Sequence, residues 1–342
     1  MKRFLKHIIK LLVVPVSLYA IFYGLNQSGI SDFIESSKEF KILFNPKYKQ
    51  TIIDLKLNQE KKDISIIGTS RTAGFENDMF SNESFYNYSM VVNSVIDIKN
   101  LIIELKLNKG DTVVVGLDQW NFNESSPVRL SNDFKNNKLN IPYYFMEKKK
   151  IINSHFLIGE NSIENFSGFR NDGSFFYGKR HIVDEQELKD YNFIDTYSRI
   201  RDGNRRFEYG SKVDLKQIKV LQELLVYAQN NEITLIGFFP PFAPSVNSMM
   251  NNPKYNYSYI DNSSKLITTL FDNYGFTFKD LTKIDLYDDS FYLDGFHCNR
   301  NVYYYIIQTL GVSVNSDFEN EFKISNQEKI TLNNYFSDKT LK

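Results

Sequence analysis

Two short segments carry residue types that could perform acyl transfer. Ser70 ends the run Ile-Ile-Gly-Thr-Ser at Ile66–Ser70, and His297 ends Asp-Gly-Phe-His at Asp294–His297, near the far end of the chain. A serine on a tight turn becomes a nucleophile when a base takes its proton and a third group holds that base. His297 is one of four histidines; His7 sits in the basic amino-terminal flank, which leaves His155, His181 and His297 as candidate bases. Asp294, three residues before His297 in a glycine-containing loop, can hold one ring nitrogen and leave the other free for Ser70. A helix opening at Arg71 would add free N–H groups and a positive dipole beside the serine. A serine N-cap would explain the first segment alone equally well, but the pair of segments favours the catalytic reading.

The elements that must position these groups follow an alternating pattern. From Asp63 onward, short apolar runs are each followed by helical periodicity, the mark of a mostly parallel sheet with helices around it. Strands are expected at Ile64–Ile67, Phe85–Tyr88, Thr112–Leu117, Ile233–Phe239 and Phe276–Leu281, and helices at Val95–Leu107, Val213–Gln229, Ser258–Tyr274 and Asn299–Leu310. Gly275 is the expected C-cap of the third of these helices. In a parallel sheet the loops after the first and last strands open on the same edge, so Ser70 and His297 can meet. Between Asp118 and Ser211 the rhythm is lost in a stretch rich in Asn, Phe, Tyr, Arg and Gly. That stretch reads as an insertion over the carboxyl ends of the strands, forming part of an acceptor cleft, or as a lobe that merely covers a sheet edge.

The remaining segments frame this unit. Lys2, Arg3, Lys6 and Lys10 precede an uncharged, mostly apolar run to Leu25, and Ile8–Leu25 is long enough to cross a bilayer. Residues 1–25 therefore read as a single-pass anchor with the amino terminus cytoplasmic and the rest of the chain outside the membrane. A cleaved signal peptide and a buried core helix are the alternatives; no small-x-small site follows Ala20, and Pro15 opposes the core helix. Residues 26–62 read as a polar stalk with an amphipathic patch at Tyr48–Leu57, residues 63–311 as the α/β domain, and 312–342 as a polar tail.

Composition excludes some functions. Lys+Arg and Asp+Glu both number 41 in 342 residues, giving a formal net charge of +0, and no basic stripe follows the first ten positions; nucleic acid is not an expected partner. A single cysteine, Cys298, excludes an internal disulfide and reads as a small apolar filler rather than a reactive thiol. No His/Cys/Asp/Glu cluster has metal-ligand spacing and no glycine-rich phosphate loop is present, so neither metal nor other cofactor is expected. Arg71 could bind a carboxylate or phosphate on a donor, or pair with an acidic neighbour, and Asp118 is a second possible substrate-binding residue. The 29 Phe and 22 Tyr residues would suit a cleft that stacks on sugars, although a core and surface built from aromatics explain them as well.

Four segments in order, Ile66–Ser70, Tyr86–Ser89, Val115–Asp118 and Asp294–His297, resemble the four sequence blocks of the SGNH (GDSL-like) hydrolases over about residues 63–311. The resemblance implies a flavodoxin-like three-layer α/β sandwich with Ser70 as nucleophile, His297 as base and Asp294 as its orienter. It implies an oxyanion hole from the backbone N–H of Ser70 and that of Ser89, which replaces the family's glycine. The family's third-block asparagine corresponds to Asp118, and an ionised carboxylate there cannot donate to an oxyanion. Either Asn121 or Asn123 supplies that donor, Asp118 is held protonated, or the third donor is missing. With an amino-terminal anchor and the Phe-Phe-Pro-Pro-Phe loop at 238–242, the chain resembles the membrane-anchored branch that modifies cell-envelope polymers. That branch includes alginate O-acetyltransferase-like proteins and the D-alanyl transfer protein of teichoic acid synthesis. An envelope glycan or polyol substrate and a membrane-bound O-acyltransferase partner are the corresponding expectations, with a simple esterase or a non-catalytic binding protein as alternatives.

Overall fold

The computed structural model describes residues 59–81, 84–126, 168–177 and 193–313, with 52–53, 56–57, 130 and 315. Seven strands and six α-helices fall within them. The main sheet comprises β1 (Ile64–Ile67), β2 (Phe85–Asn87), β3 (Thr112–Gly116), β6 (Thr234–Phe239) and β7 (Thr277–Asp280). All five run parallel in the order β2-β1-β3-β6-β7. The chain moves from β1 outward to β2, then returns past β1 to β3. Such a reversal of direction opens a crevice at the carboxyl ends of β1 and β3, and Ser70 lies in the loop leaving β1. A two-stranded antiparallel hairpin, β4 (Gly168–Phe169) and β5 (Phe175–Phe176), belongs to the insertion.

The strands are short, nearly uninterrupted apolar runs because both faces of the sheet are covered. Ile64 and Ile66 of β1, Val114 of β3 and Phe238 of β6 join one apolar layer with Val302 and Ile306 of the last helix. Ile67, Val113, Val115, Leu235 and Phe239 join the other, against α1 (Val95–Leu105), α3 (Leu215–Asn230) and the carboxyl half of α5 (Tyr259–Asn273). The arrangement is an α/β fold consistent with a three-layer sandwich. Ser94 caps α1 by accepting from the Asp97 N–H, and Lys106 ends it in the left-handed region. Asp214 caps α3, and Asn299 caps α6 (Arg300–Thr309), accepting from Asn301 and Val302.

Two short helices were not legible in the sequence pattern. α2 (Ile194–Asp202) lies inside the expected insertion, and α4 (Pro244–Met250) follows the double proline with Pro244 in its first turn. The expected stalk also reaches further into the packed unit than Asp63. Ile53 is buried in the second apolar layer, and Lys56 is fully buried. No helix among the described residues is long and apolar enough to cross a membrane. The candidate anchor, most of the stalk, most of the insertion with His155 and His181, and most of the tail lie outside the described residues.

Candidate active site

The three candidate catalytic side chains converge at the carboxyl edge of the sheet. Ser70 Oγ lies 2.7 Å from His297 Nε2, and His297 Nδ1 lies 2.7 Å from Asp294 Oδ2. The Asp294 loop is self-bracing: its other oxygen, Oδ1, accepts the backbone N–H groups of Phe296 at 2.9 Å and His297 at 2.8 Å. One carboxylate thus fixes both the ring and the chain that carries it. Burial pushes the Asp294 carboxyl upward, but the His297 charge, the ring hydrogen bond and the two backbone donors outweigh it and leave the pKa below the ordinary value. Gly295 is required by packing, since a Cβ there would meet the Thr196 side chain of α2 at 2.5 Å and that of Val246 in α4 at 2.7 Å.

On the serine side, the turn is tighter than expected. No α-helix opens at Arg71; a single 3₁₀ turn covers Ser70–Thr72, with the Thr69 hydroxyl accepting from the Arg71 N–H. Just past the turn, Gly74 packs directly beneath Tyr303, whose ring a Cβ would meet at 2.1 Å. The macrodipole of a full helix is missing from the nucleophile's surroundings. Gly68 is needed for the same closeness, as a Cβ there would meet the Thr72 hydroxyl at 2.5 Å.

Arg71, a candidate ligand for a donor's anionic group, is instead committed to the interior. It is 1% exposed; Nε donates to the Phe296 carbonyl at 3.2 Å, Nη1 to Gln119 Oε1 at 2.6 Å, and Nη2 to the carbonyls of Pro240 and Pro241 at 2.7 and 2.8 Å. Its plane also lies over the Phe242 and Trp120 rings. Asp118, the other candidate substrate ligand, is equally buried and sits 3.5 Å from Arg71 Nη1. Burial raises its pKa against the pull of Arg71 and Arg206 and a hydrogen bond from Thr69. Arg71 therefore ties the turn after β1, the loop after β3, the Pro240–Pro241 loop and the Asp294–His297 loop into one polar layer beneath the site.

The expected oxyanion donors are differently placed. The Ser89 N–H donates to Asn87 Oδ1 at 2.8 Å, and the Ser89 hydroxyl is 2.6 Å from that of Thr72, so this N–H is not open to a ligand. Asn87 completes the brace by donating to the carbonyls of Thr72 and Phe75. An asparagine two residues before Ser89 was a readable signal, because Asn side chains commonly accept from the N–H two positions on. Asn123 is also engaged, donating to the Glu208 carbonyl and accepting from Ser125 N–H. Asn121 is half-buried in the 3₁₀ turn Gln119–Phe122, and its backbone N–H donates to the Asp118 carbonyl. Cys298 is buried in the first apolar layer, where burial raises its thiol pKa.

One residue at the site escaped sequence reasoning. Tyr177, just after β5 in the insertion, donates its hydroxyl to the Ser70 carbonyl at 3.3 Å, and its ring centroid lies 5.8 Å from that of His297. Burial raises the phenol pKa, which keeps it a donor. Nothing in the local sequence marks Tyr177 among 22 tyrosines.

No protein-family model matches this chain, and no curated protein matches it.

Proposed function

We propose that this chain is a serine acyltransferase or esterase of the flavodoxin-like SGNH type, anchored outside the membrane and acting on a cell-envelope glycan or polyol. The reading is carried by one observation: a serine hydroxyl, an imidazole and a carboxylate drawn from opposite ends of the sequence form a continuous hydrogen-bonded line with 2.7 Å at each step. The sheet order, with the serine leaving β1 at the crevice, is that expected of a flavodoxin-like fold and supports it.

In this mechanism Asp294 accepts from Nδ1–H and holds the tautomer whose Nε2 lone pair faces Ser70. Ser70 Oγ attacks the carbonyl carbon of a donor ester as its proton passes to Nε2, and the carbonyl electrons move onto oxygen. Collapse of that tetrahedral species expels the donor's alcohol or thiol, which leaves with the proton from Nε2, and the acyl group remains on Ser70. An acceptor hydroxyl then repeats the sequence: its proton goes to Nε2, its oxygen forms the new ester, and Ser70 departs carrying the proton back. With water as acceptor the same steps give hydrolysis. Of the oxyanion donors from the resemblance, the Ser89 N–H and the Asn123 amide are engaged, which leaves the Ser70 N–H and the Asn121 side-chain amide as candidates. Catalysis with fewer donors is slower by about 100-fold or more per missing group.

That shortage is the observation favouring a second reading, a non-catalytic protein that binds a glycan or a membrane-bound O-acyltransferase. A serine-directed fluorophosphonate separates the two. The catalytic reading expects labelling of the full-length chain to fall at least about 1000-fold in Ser70→Ala; equal labelling of both proteins would end it and favour the binding role.

A further inference from the structure

We propose that Tyr177 determines which acceptor resolves the acyl-Ser70, forming a fixed aromatic wall that disfavours water and lets a bound polyol hydroxyl reach His297. The inference rests on the acyl-serine reading above and adds a residue and a substrate preference to it.

The first support is position. Tyr177 borders both reacting groups, with its hydroxyl on the Ser70 carbonyl and its ring beside the His297 ring. Phe296 packs against the same imidazole, its ring centroid 4.6 Å away. The base is thus bordered by two aromatic rings, and the Tyr177 hydroxyl already donates to the protein. Such a border offers a lone water few partners to hold it in line with Nε2. The C–H faces of a polyol or sugar can rest on the half-buried Tyr177 ring.

The second support is anchoring, because a wall that could swing away would exclude nothing. The hairpin carrying Tyr177 is tied to the loops after β1 and β2 at several points. Phe175 N–H donates to the Ala73 carbonyl at 2.8 Å, and Asn87 N–H donates to the Asp172 carbonyl at 2.8 Å. Asp172 Oδ2 accepts from Asn77 N–H, and Arg170 pairs with Glu76 at 3.3 Å. The buried Lys56 ammonium joins the carbonyls of Asn87, Ser89 and Gly173 at 2.7 to 2.8 Å. Phe175 then braces the Tyr177 ring from the hairpin side, 5.0 Å between centroids. The insertion is therefore built onto the nucleophile's own loops at this point.

The test uses the full-length chain with p-nitrophenyl acetate as donor and glycerol as acceptor, measuring glyceryl acetate against free acetate. The expected result is that Tyr177→Ala lowers the ratio of transfer to hydrolysis about tenfold, whereas Tyr177→Phe, which keeps the ring, stays near the unmodified value. Tyr177→Leu, which keeps apolar bulk should the alanine variant fold poorly, is expected to fall between them. A general loss of folding would depress both products together and leave the ratio unmoved. An unchanged ratio in Tyr177→Ala or Tyr177→Leu with total product and melting curve near those of the unmodified chain, or no glyceryl acetate from the unmodified chain while acetate is released, would overturn the proposal. Failure of the unmodified chain to react with fluorophosphonate, an assay that needs no acceptor, would instead remove the acyl-serine reading and this inference with it.

Discussion

Ser70 and Arg71 are neighbours in sequence and belong to opposite regimes. The Ser70 side chain faces a half-open rim and meets an imidazole 227 positions away, whereas Arg71 turns inward and gives its donors to four acceptors from remote loops. Both have chemically capable side chains, yet only one has capacity left for a substrate. Hydrogen-bond satisfaction, not residue type, separates the reactive layer from the layer that supports it. Supporting layers of this kind hold a site's geometry because a buried polar network tolerates few alternative arrangements.

Substitution on the two sides of that divide should give opposite outcomes. The largest effect on stability is expected from Arg71→Met, which strands Asp118 and leaves the carbonyls of Phe296 and Pro241 without their donor, while that of Pro240 keeps Gln119 Nε2. Breaking a buried pair in this way costs about 3–5 kcal/mol, so the thermal midpoint should fall by about 10 °C, with labelling lost only as the fold is lost. Ser70→Ala should lose labelling while its melting curve stays close to that of the unmodified chain. If Arg71→Met melted normally but failed to bind a donor, the division drawn here would be wrong and Arg71 would be a ligand after all.

How much of this was legible follows from the range of the interactions involved. Strands flanked by turn signals, such as Thr112–Gly116 after Gly110-Asp111, carry their burial in their own composition, and the expected spans of the main sheet differ from the observed ones by at most one residue at either end. The pairing of Asp294 with His297 is likewise local, since three residues of loop bring the two groups together. Arg71 was half legible: pairing with an acidic neighbour was one of its two readings and Asp118 lies 3.5 Å away, but three of its four hydrogen-bond acceptors are backbone carbonyls, which are identical in every residue and acquire meaning only once distant loops are in place. The same holds for Tyr177, whose approach to Ser70 depends on anchoring by Lys56 and Ala73 from separate segments. α4 was hidden by composition: Pro-Ser-Val-Asn-Ser reads as loop until Pro244 is recognised as a first-turn residue.

A smaller effect sharpens the comparison from the acid side. Asp294 binds its proton less readily in the folded chain than its ordinary value of 3.8 allows, so in the unfolded chain the proton is held more tightly. Its ionised form therefore contributes stability at neutral pH; that contribution declines as the pH falls below about 3.8 and is gone once the pH lies below the depressed folded value. Melting curves of the unmodified chain and Asp294→Asn should differ at neutral pH and converge in strong acid. A gap that stayed constant with pH would mean that the carboxylate's charge is not what braces His297.

The central claim is that Ser70 can carry an acyl group. Mixing the full-length chain with p-nitrophenyl acetate, quenching in acid within the first turnover and mapping the acetyl group by peptide mass spectrometry tests it most directly. The account predicts one acetyl on the peptide containing Ser70, absent in both Ser70→Ala and His297→Ala. Acetyl spread over lysines, with Ser70 unmodified and the substitutions without effect, would contradict it.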